Sequence, residues 1–429
     1  TLSDAGRKNF LETLVDNFNI DRERVKDTAR DLLASSDIKS FRQAASRMSE
    51  ALVSPQQRLL RQFNALPQGV KFLVDLRADL LAFRATKPKF AAFDRDLKEL
   101  VSSWFDIGLL SIERITWQSP AALLEKLMAY EAVHAISSWN DLHNRLESDR
   151  RCYAFFHPGM SDEPLIFIEV ALVEGLATSI QELLDESAPD TDPREADTAI
   201  FYSISNTQKG LQGISFGPFL IKQVVTSLSQ ELPNLKTFST LSPLPGFRRW
   251  LTTYIEAARS GETRDPMLDA IDEAARLLDT ATELDAVLNT PDWWQNQDVT
   301  AILKDPLLSL CARYLHEHRD KDQAPLDPVA RFHLGNGARI ERIDWLGDIS
   351  AKGMRESCGF MVNYLYHLKE MEQNIEAYAT SREIAAAKQV RNLLRDDEDE
   401  KGQLTRLRRL ISLRRGNGSG NSAQSGTSP

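Results

Sequence analysis

The spacing of apolar residues changes from a helical to a strand-like period near residue 105, and this change limits what the chain can fold into. Before that point, apolar residues recur every three or four positions, as at Leu73, Leu76 and Leu80, which is the spacing of amphipathic helices. Beyond it, residues 111–117 alternate between apolar and polar side chains, as half-buried strands do. We therefore expect an all-helical domain over residues 1–104, followed by a domain that contains a sheet.

The order of the predicted elements defines the class of the second domain. After residue 105 it is strand, two helices, three strands, helix, strand, several helices and two strands. The strands are predicted at 111–117, 152–156, 164–172, 198–204, 236–240, 339–345 and 359–366, with helices at 120–134, 138–146 and 218–230. Because strands and helices do not alternate regularly, this order predicts a mixed α/β domain over residues 105–400 and an α+β chain overall.

The last residues differ in composition from the rest of the chain. Residues 401–429 begin with a stretch in which arginines alternate with leucines and end in a run rich in Gly, Ser and Asn. The first part is predicted to be a basic helix, which either binds a membrane or nucleic acid or, as is more common for such a segment, is a surface helix or a disordered end. The second part is predicted to be a flexible tail.

The charge and the cysteine content exclude several classes of protein. Asp and Glu outnumber Lys and Arg by 62 to 52, so we expect no binding to nucleic acid or to an anionic membrane, which would require a basic face. No apolar run is long enough for a transmembrane helix. Cys152, Cys311 and Cys358 lie far apart, without C-x-x-C pairing. This predicts reduced thiols, a cytoplasmic location, and neither a disulfide scaffold nor a Cys-based zinc site.

The segment most informative about function, residues 202–222, runs from a predicted strand through a glycine-rich loop into a predicted helix. Gly210, Gly213 and Gly217 let the backbone approach a ligand closely, and the free N–H groups of a first helical turn attract anions. The loop matches neither the Walker A motif nor G-x-G-x-x-G. The residues alone leave two interpretations open, a pyrophosphate-binding loop and an ordinary tight connection.

The position of this loop in the element order favours the first interpretation. The strand order resembles that of the acetyl-CoA-dependent N-acetyltransferase (GNAT) superfamily, in which the loop after the fourth strand holds the coenzyme A pyrophosphate. A glutamine or an arginine usually leads that loop, and Gln208 and Gln212 are placed to do so. The resemblance implies a GNAT-like domain with a coenzyme A site at this loop.

Two further polar residues lie next to predicted strands. Ser242 follows a strand and precedes Pro243, and Ser-Pro is also common in turns and helix caps. His333 lies before Gly335 and Gly337, which predict a turn, and a histidine in a turn is more often a surface or capping residue than a catalyst. For each residue, a catalytic and a purely structural interpretation stay open.

Four long motifs identify the family that the chain resembles. They are SNTQKGLQGISFGPFLIK at 205–222, LSPLPGF at 241–247, VARFHLGNGA at 329–338 and SCGFMVNYLYHL at 357–368. Together they are similar to the malonyl-CoA decarboxylase family, and shorter matches extend the resemblance over most of residues 105–370. The resemblance implies that residues 105–400 form a GNAT-like catalytic domain and that residues 1–104 form the family's helical oligomerisation domain.

The resemblance implies a reaction, a site and a partner. The reaction is the conversion of malonyl-CoA to acetyl-CoA and carbon dioxide, with Ser242 and His333 as a catalytic pair for proton transfer and orientation. The implied substrate-binding residues are Gln212, Gly213, Ile214, Ser215, Phe216, Gly217, Pro218, Asn336 and Tyr366. No metal or separate cofactor is expected, because coenzyme A is part of the substrate. The expected partner is the chain itself, in a homodimer or a homotetramer.

The predicted residue types suit this chemistry. Loss of carbon dioxide leaves a thioester enolate, so the site needs hydrogen-bond donors aimed at the oxyanion and an acid that protonates the carbon. Histidine suits the role of the acid because its ordinary pKa of about 6.5 allows proton exchange near neutral pH. Two other functions stay open: an acyltransferase that transfers an acyl group from coenzyme A to an amine or alcohol, and a non-catalytic acyl-CoA sensor.

Overall fold

The computed structural model describes residues 3–84, 88–105, 107–214, 219–261 and 265–394. Two predictions lie outside these residues. One is the basic helix and flexible tail over 401–429. The other concerns the last part of the predicted coenzyme A loop, formed by Ser215, Phe216, Gly217 and Pro218.

The described residues of the first hundred positions are helical, as predicted. Several of these helices begin at a side chain that caps their free N–H groups. Asp37 accepts hydrogen bonds from the backbone N–H groups of Lys39 and Ser40, and Ser54 caps a helix whose first residue is Pro55, where proline's missing N–H is not needed. The helices are α1 (Asp4–Asn17), α2 (Arg22–Ala34), α3 (Ile38–Leu52), α4 (Pro55–Arg61), α5 (Gly69–Arg84) and α6 (Phe90–Trp104).

Beyond residue 105 the strands and helices follow the predicted order, with additional short elements. The strands are β1 (Ser111–Ile115), β2 (Arg150–Phe156), β3 (Ile166–Val173), β4 (Thr198–Asn206), β5 (Thr237–Thr240), β6 (Ser242–Pro243), β7 (Arg339–Asp344) and β8 (Met361–Leu365). The helices are α7 (Ala121–Tyr130), α8 (Trp139–Asn144), α9 (Ile180–Leu183), α10 (Phe219–Glu231), α11 (Phe247–Ser260), α12 (Pro266–Leu278), α13 (Leu284–Asn289), α14 (Gln297–His316), α15 (Pro328–Gly335), α16 (Ala351–Ser357), α17 (Met371–Ser381) and α18 (Lys388–Asn392). The α+β fold class is therefore confirmed.

The strands pair in the order β1-β2-β3-β4-β5-β8-β6, with β7 beside β8. Strands β1, β2 and β3 are antiparallel neighbours. Strands β4 and β5 are parallel, with Thr198 opposite Thr237, because helix α10 carries the chain back between them. Strand β8 is antiparallel to β5, β6 and β7. The segment β4–loop–α10–β5 therefore has the strand, helix and parallel strand that the sequence predicted around the glycine loop.

The described residues divide into two compact units. The first comprises those within Thr1–Ala171, Pro189–Asp192 and Ser203–Ser227, and the second those within Leu172–Ala188, Pro193–Tyr202 and Leu228–Pro429. Helices α1–α6 and the glycine loop thus belong to the first unit, whereas β5, β6, β8 and α15 belong to the second. The predicted domain boundary at residue 104 stays a prediction.

Apolar side chains fill the interior of each unit. In the first, Ile115, Leu127 and Phe167 are buried in one cluster. In the second, Val362 and Tyr364 of β8 have no exposed surface. Full burial of an apolar side chain contributes roughly 1.5–3 kcal/mol, so the strands that carry the polar residues described next are anchored by their apolar neighbours.

Candidate active site

Ser242 is fixed by the pairing of strands β5, β6 and β8. It lies opposite Val362 on β8, and its side chain is buried. Its Oγ donates a hydrogen bond to Oγ1 of Thr240 at 2.9 Å. Thr240 Oγ1 in turn accepts a hydrogen bond from the backbone N–H of Tyr364 at 3.1 Å. The serine hydroxyl is therefore held by the sheet and not by a flexible loop.

His333 lies in helix α15 and not in a turn, whereas the predicted turn follows the helix at Asn336 and Gly337. Asp327 caps the helix by accepting hydrogen bonds from the N–H groups of the second and third helical residues. Pro328 is the first helical residue, and the helix ends at Gly335. The glycines that indicated a turn mark the end of a helix of eight residues, so His333 has its place in the last helical turn.

Three of the predicted site residues meet in the second unit. The Nε2 atom of His333 lies 3.1 Å from Oγ of Ser242. On the other side of the imidazole, Nδ1 lies 2.7 Å from the hydroxyl of Tyr366, which directly follows β8. The ring of Tyr364 stacks on the imidazole, with the ring centroids 4.6 Å apart. The side chains of Ser242, His333 and Tyr366 thus form a continuous hydrogen-bonded row.

The protonation state of Tyr366 determines which group donates in each of these hydrogen bonds. Burial raises the pKa of Tyr366 well above its ordinary value, so its hydroxyl is protonated, and its hydrogen-bond partner among the described residues is Nδ1 of His333. Tyr366 therefore donates to Nδ1, and the neutral imidazole carries its hydrogen on Nε2. Tyr366 thus donates to His333, His333 donates to Ser242, and Ser242 donates to Thr240.

The pKa of His333 is not the ordinary value expected from the sequence. Its side chain is only 3% exposed, and this burial, which penalises the charged form, lowers its pKa to about 3. The imidazole is therefore neutral at physiological pH, and it brings no positive charge into the site. Its chemistry at neutral pH is that of a neutral N–H donor.

Asn336 does not join this row of hydrogen bonds. It lies directly after α15, where its side-chain nitrogen donates to the backbone carbonyl oxygen of Phe332 at 2.8 Å. The same carbonyl oxygen also accepts a hydrogen bond from the backbone N–H of Asn336 at 3.1 Å, so the side chain adds a second contact at the end of the helix. The geometry gives Asn336 a capping role, and its predicted role in substrate binding stays a prediction.

Sequence reasoning missed two residues of this site, Thr240 and Tyr364. Each lies two positions before a residue that was predicted, Ser242 and Tyr366 respectively. Side chains two positions apart lie on the same face of a strand. Applying this spacing to Tyr366 on the predicted strand 359–366 would have identified Tyr364. For Thr240, the sequence shows a hydroxyl-bearing residue at the end of a predicted strand. It does not show that this hydroxyl accepts from Tyr364, because the pairing of β5 with β8 joins distant parts of the chain.

The described part of the predicted coenzyme A loop lines a cavity in the first unit. The cavity has a volume of about 530 Å³, within the usual range for small-molecule sites. Gln212, Gly213 and Ile214 line it, as does Gln208, and Ala78 of helix α5 contributes to its wall. The loop is thus accessible to a ligand from within the first unit.

No metal site is formed by the described residues: nowhere among them do three or more His, Cys, Asp or Glu side chains come together as metal ligands would. The three cysteines are free and buried. The expectation that neither metal nor separate cofactor takes part stays a prediction.

Comparisons with known proteins define the class of this chain. A family model described as the malonyl-CoA decarboxylase C-terminal domain matches residues 108–404, and the model of the N-terminal domain matches residues 18–105. The mitochondrial malonyl-CoA decarboxylase of Mus musculus is 38% identical over 405 residues, which are 90% of this chain and 82% of that protein. The class is therefore that of the decarboxylases.

Two solved structures extend this similarity to the fold. The malonyl-CoA decarboxylase of Rhodopseudomonas palustris is 42% identical, with a TM-score of 0.81 and 91% of each chain covered. That of Agrobacterium vitis is also 42% identical, with a TM-score of 0.82 and 92% of each chain covered. The chain belongs to the malonyl-CoA decarboxylase family, and the resemblance found in its four motifs is confirmed.

Proposed function

We propose that this chain converts malonyl-CoA to acetyl-CoA and carbon dioxide. The observation that carries the proposal is the buried hydrogen bond between Ser242 and His333 in a member of this family. The bond between the carboxylate carbon and the α-carbon breaks, and its electron pair enters the thioester as an enolate. One proton is then added to the α-carbon, so that one proton is consumed for each carbon dioxide released.

The neutral His333 favours this reaction. A cation next to the malonyl carboxylate would stabilise the substrate more than the transition state, in which the carboxylate loses its charge, and would slow the reaction. The neutral Nε2–H and the hydroxyl of Ser242 can instead donate to the thioester oxygen, where negative charge develops. The burial that lowers the pKa of His333 therefore serves the chemistry.

The same row of hydrogen bonds supplies the proton in the proposed second step. The carbon of a thioester enolate is a strong base, so a neutral donor is sufficient to protonate it. His333 delivers its Nε2 hydrogen, and Ser242 positions or relays it. As Nε2 loses its hydrogen, Nδ1 accepts the hydrogen of Tyr366, and the ring stays neutral. Nε2 then regains a hydrogen from water through Ser242, the hydrogen on Nδ1 returns to the tyrosine oxygen, and the starting state is restored.

The hydrogen-bond directions favour this mechanism over an acyl-enzyme. A serine nucleophile needs an unprotonated nitrogen that accepts its hydrogen. Here Nε2 of His333 carries a hydrogen, and the hydroxyl of Ser242 donates to Thr240. The serine therefore faces a donor and has no general base beside it.

The coenzyme A moiety is proposed to bind at residues 212–218. Gln212, Gly213 and Ile214 line the cavity of the first unit, whereas residues 215–218 of the proposed site lie outside the described residues. Gly213 has a φ of +76°, which residues with a side chain rarely adopt. This supports a loop shaped for close approach of its backbone to a ligand.

The test of the proposed function is carbon dioxide release from malonyl-CoA with no acceptor added. A decarboxylase produces carbon dioxide and acetyl-CoA in equal amounts under these conditions. An acyltransferase would produce neither until an amine or alcohol is supplied, and an acyl-CoA sensor would bind malonyl-CoA without turnover. Either of these outcomes would overturn the proposal.

Tyr366 offers a sharp test of the proton path. We expect Tyr366→Phe to lower kcat by about 100-fold with little change in KM, because the imidazole loses the donor that keeps its hydrogen on Nε2. Tyr364→Phe is the matched control: its ring also contacts His333, but its hydroxyl has no hydrogen-bond partner in the described structure. Steady-state kinetics of both variants check this, and equal losses of kcat would contradict the path.

The proposed assembly is a homo-oligomer formed through the helical region. Among the described residues of α2 and α3 and the segment between them, Leu33 is 87%, Ile38 74% and Phe41 51% exposed. Apolar side chains exposed this far on neighbouring helices are typical of an interface. We propose that a second copy of the chain covers them, in a dimer or a tetramer with closed symmetry.

A charge placed in this apolar patch is expected to weaken assembly. Phe41→Asp should lower the mass measured by light scattering at micromolar concentration, because a buried, unpaired carboxylate is costly at an interface. Gln43→Asp, at an exposed position two residues further along α3, is the matched control and should leave the mass unchanged. A wild-type chain that is monomeric under these conditions would contradict the proposal.

We propose that the protein is located in the cytoplasm. None of the described helices combines the length and the apolar character needed to cross a membrane. The curated relatives from Mus musculus and Rattus norvegicus carry mitochondrial names. Fractionation of the source cells, with detection of the protein by antibody, tests the proposal directly.

A further inference from the structure

The glycine loop of the first unit is fixed to helices α5 and α6 at Gly210. A Cβ atom at this position would overlap the backbone carbonyl of Val74 in α5, so only glycine allows this approach. The buried guanidinium of Arg77 donates to the carbonyl oxygen of Gly210 at 2.5 Å. Its Nε donates to Oδ1 of Asp94 in α6 at 3.0 Å. A buried guanidinium that lost one of these partners would be costly, so the loop and the two helices keep their relative positions.

This arrangement places Lys98 of α6 beside the second glycine of the loop. A Cβ atom built on Gly213 would lie 3.4 Å from Nζ of Lys98 and 3.7 Å from its Cε, the nearest side-chain atoms. Because Gly213 has no side chain, no side chain at this position covers the face of the Lys98 ammonium group that is turned towards the loop. Lys98 is half-buried and forms no ion pair with any described residue.

A second ammonium group belongs to the same loop. Lys209 lines the cavity together with Gln212 and Gly213, is exposed, and likewise has no ion-pair partner within the described ranges. The chain as a whole carries a net charge of −10. Two lysines without an ion-pair partner, Lys209 in the lining of the cavity and Lys98 beside Gly213, indicate a ligand with negative charge at this loop of an acidic protein.

We propose that Lys98 binds the pyrophosphate of coenzyme A at Gly213, with Lys209 adding positive charge to the cavity that Gly213 lines. This inference rests on the proposed function, because it takes the coenzyme A of malonyl-CoA as the ligand. A phosphate oxygen in van der Waals contact with Gly213 lies within reach of the Lys98 ammonium, and such charge-assisted hydrogen bonds are the strong ones. The helical region then supplies a substrate-binding residue in addition to its proposed role in assembly.

The inference is tested by measuring the binding of coenzyme A itself, by calorimetry on the full-length protein. We expect Lys98→Met to raise the Kd for coenzyme A by about tenfold at low ionic strength. Lys98→Arg should restore most of the affinity. Lys304→Met, which removes one exposed lysine from α14, is the matched control and should leave the Kd unchanged. In malonyl-CoA turnover, Lys98→Met should raise KM and leave kcat close to the wild-type value.

Two further ligands identify the group that Lys98 contacts. The loss of affinity in Lys98→Met should persist with 3′-dephospho-coenzyme A, which keeps the pyrophosphate, and should disappear with pantetheine, which has no phosphate. A loss that vanishes with 3′-dephospho-coenzyme A would overturn the assignment to the pyrophosphate. An unchanged Kd for coenzyme A in Lys98→Met would overturn the inference while leaving the decarboxylase proposal intact, whereas a wild-type protein that releases no carbon dioxide would overturn the decarboxylase proposal instead.

Discussion

Replacing His333 with Asn is expected to lower the kcat for malonyl-CoA decarboxylation by about three orders of magnitude and to change KM much less. Asn is of similar size and keeps a polar group in the pocket, but it cannot pass a proton from Tyr366 to Ser242. Ser242→Ala should have a similar effect, because it removes the group that lies 3.1 Å from Nε2. If the two residues act as a unit, the double variant should be little worse than either single variant.

A control variant and a second measurement accompany this prediction. His318→Asn removes a half-buried histidine of the second unit and should leave kcat unchanged. Mass spectrometry during turnover tests the alternative chemistry, since a malonyl or acetyl ester on Ser242 would replace the proton relay with covalent catalysis. Full activity of His333→Asn would remove this residue from the mechanism.

The burial of His333 also has a measurable effect on stability. Its pKa is about 3 in the folded protein and near 6.5 in the unfolded chain, so between these values the unfolded state binds more protons. The contribution of His333 to the free energy of unfolding is therefore complete above about pH 6.5 and is lost as the pH falls towards 3. In His333→Asn, denaturant unfolding should show a weaker decrease in stability over this range.

Replacing Gly213 with Val is expected to raise the KM for malonyl-CoA by about one to two orders of magnitude, with a smaller change in kcat. The residue has a φ of +76°, which a β-branched side chain strongly disfavours, and the new side chain would extend towards Lys98. Both effects act on the loop proposed to bind coenzyme A. Initial-rate kinetics over a range of malonyl-CoA concentrations measure the change.

Gly175 provides a matched control for backbone strain. It has a φ of +69°, and nothing lies within 4 Å of a Cβ built on it. Gly175→Val should therefore carry a similar conformational cost without approaching a ligand. We expect the two variants to lose similar stability in thermal unfolding, with only Gly213→Val losing affinity. A normal KM in a folded Gly213→Val protein would place the coenzyme A site elsewhere.

The parts of the fold predicted correctly are those set by local sequence. Strand β4, helix α10 and strand β5 follow from apolar runs bounded by a glycine loop and by polar residues. The helix that contains His333 was missed although Asp327 and Pro328 are a strong start signal, because eight residues followed by Gly337 contain too few turns to show a helical period. Local patterns thus defined long elements better than short ones.

The contacts within the site depend on distant parts of the chain, and for this reason sequence patterns could not supply them. The hydrogen bond of Tyr366 to His333 requires β8 to lie beside α15 in the folded chain, and no periodicity relates the two segments. Nothing in the sequence distinguishes Lys98, because a lysine on an amphipathic helix is usually only solvated. The position of Lys98 beside Gly213 depends on the packing of the glycine loop against α5. The hydrogen bond from Arg77 to the loop fixes this packing.

The contact between Arg77 and Gly210 has a consequence for how such a chain can be divided or recombined. The boundary between the two family models, at residues 105–108, separates Arg77 from the carbonyl group to which it donates. A chimaera joined there would keep this contact only if the parent of the first part has an arginine at position 77 and the parent of the second part has a glycine at position 210. A division of the chain at this boundary is therefore expected to leave the buried guanidinium of Arg77 without one of its partners and the loop without its anchor on α5.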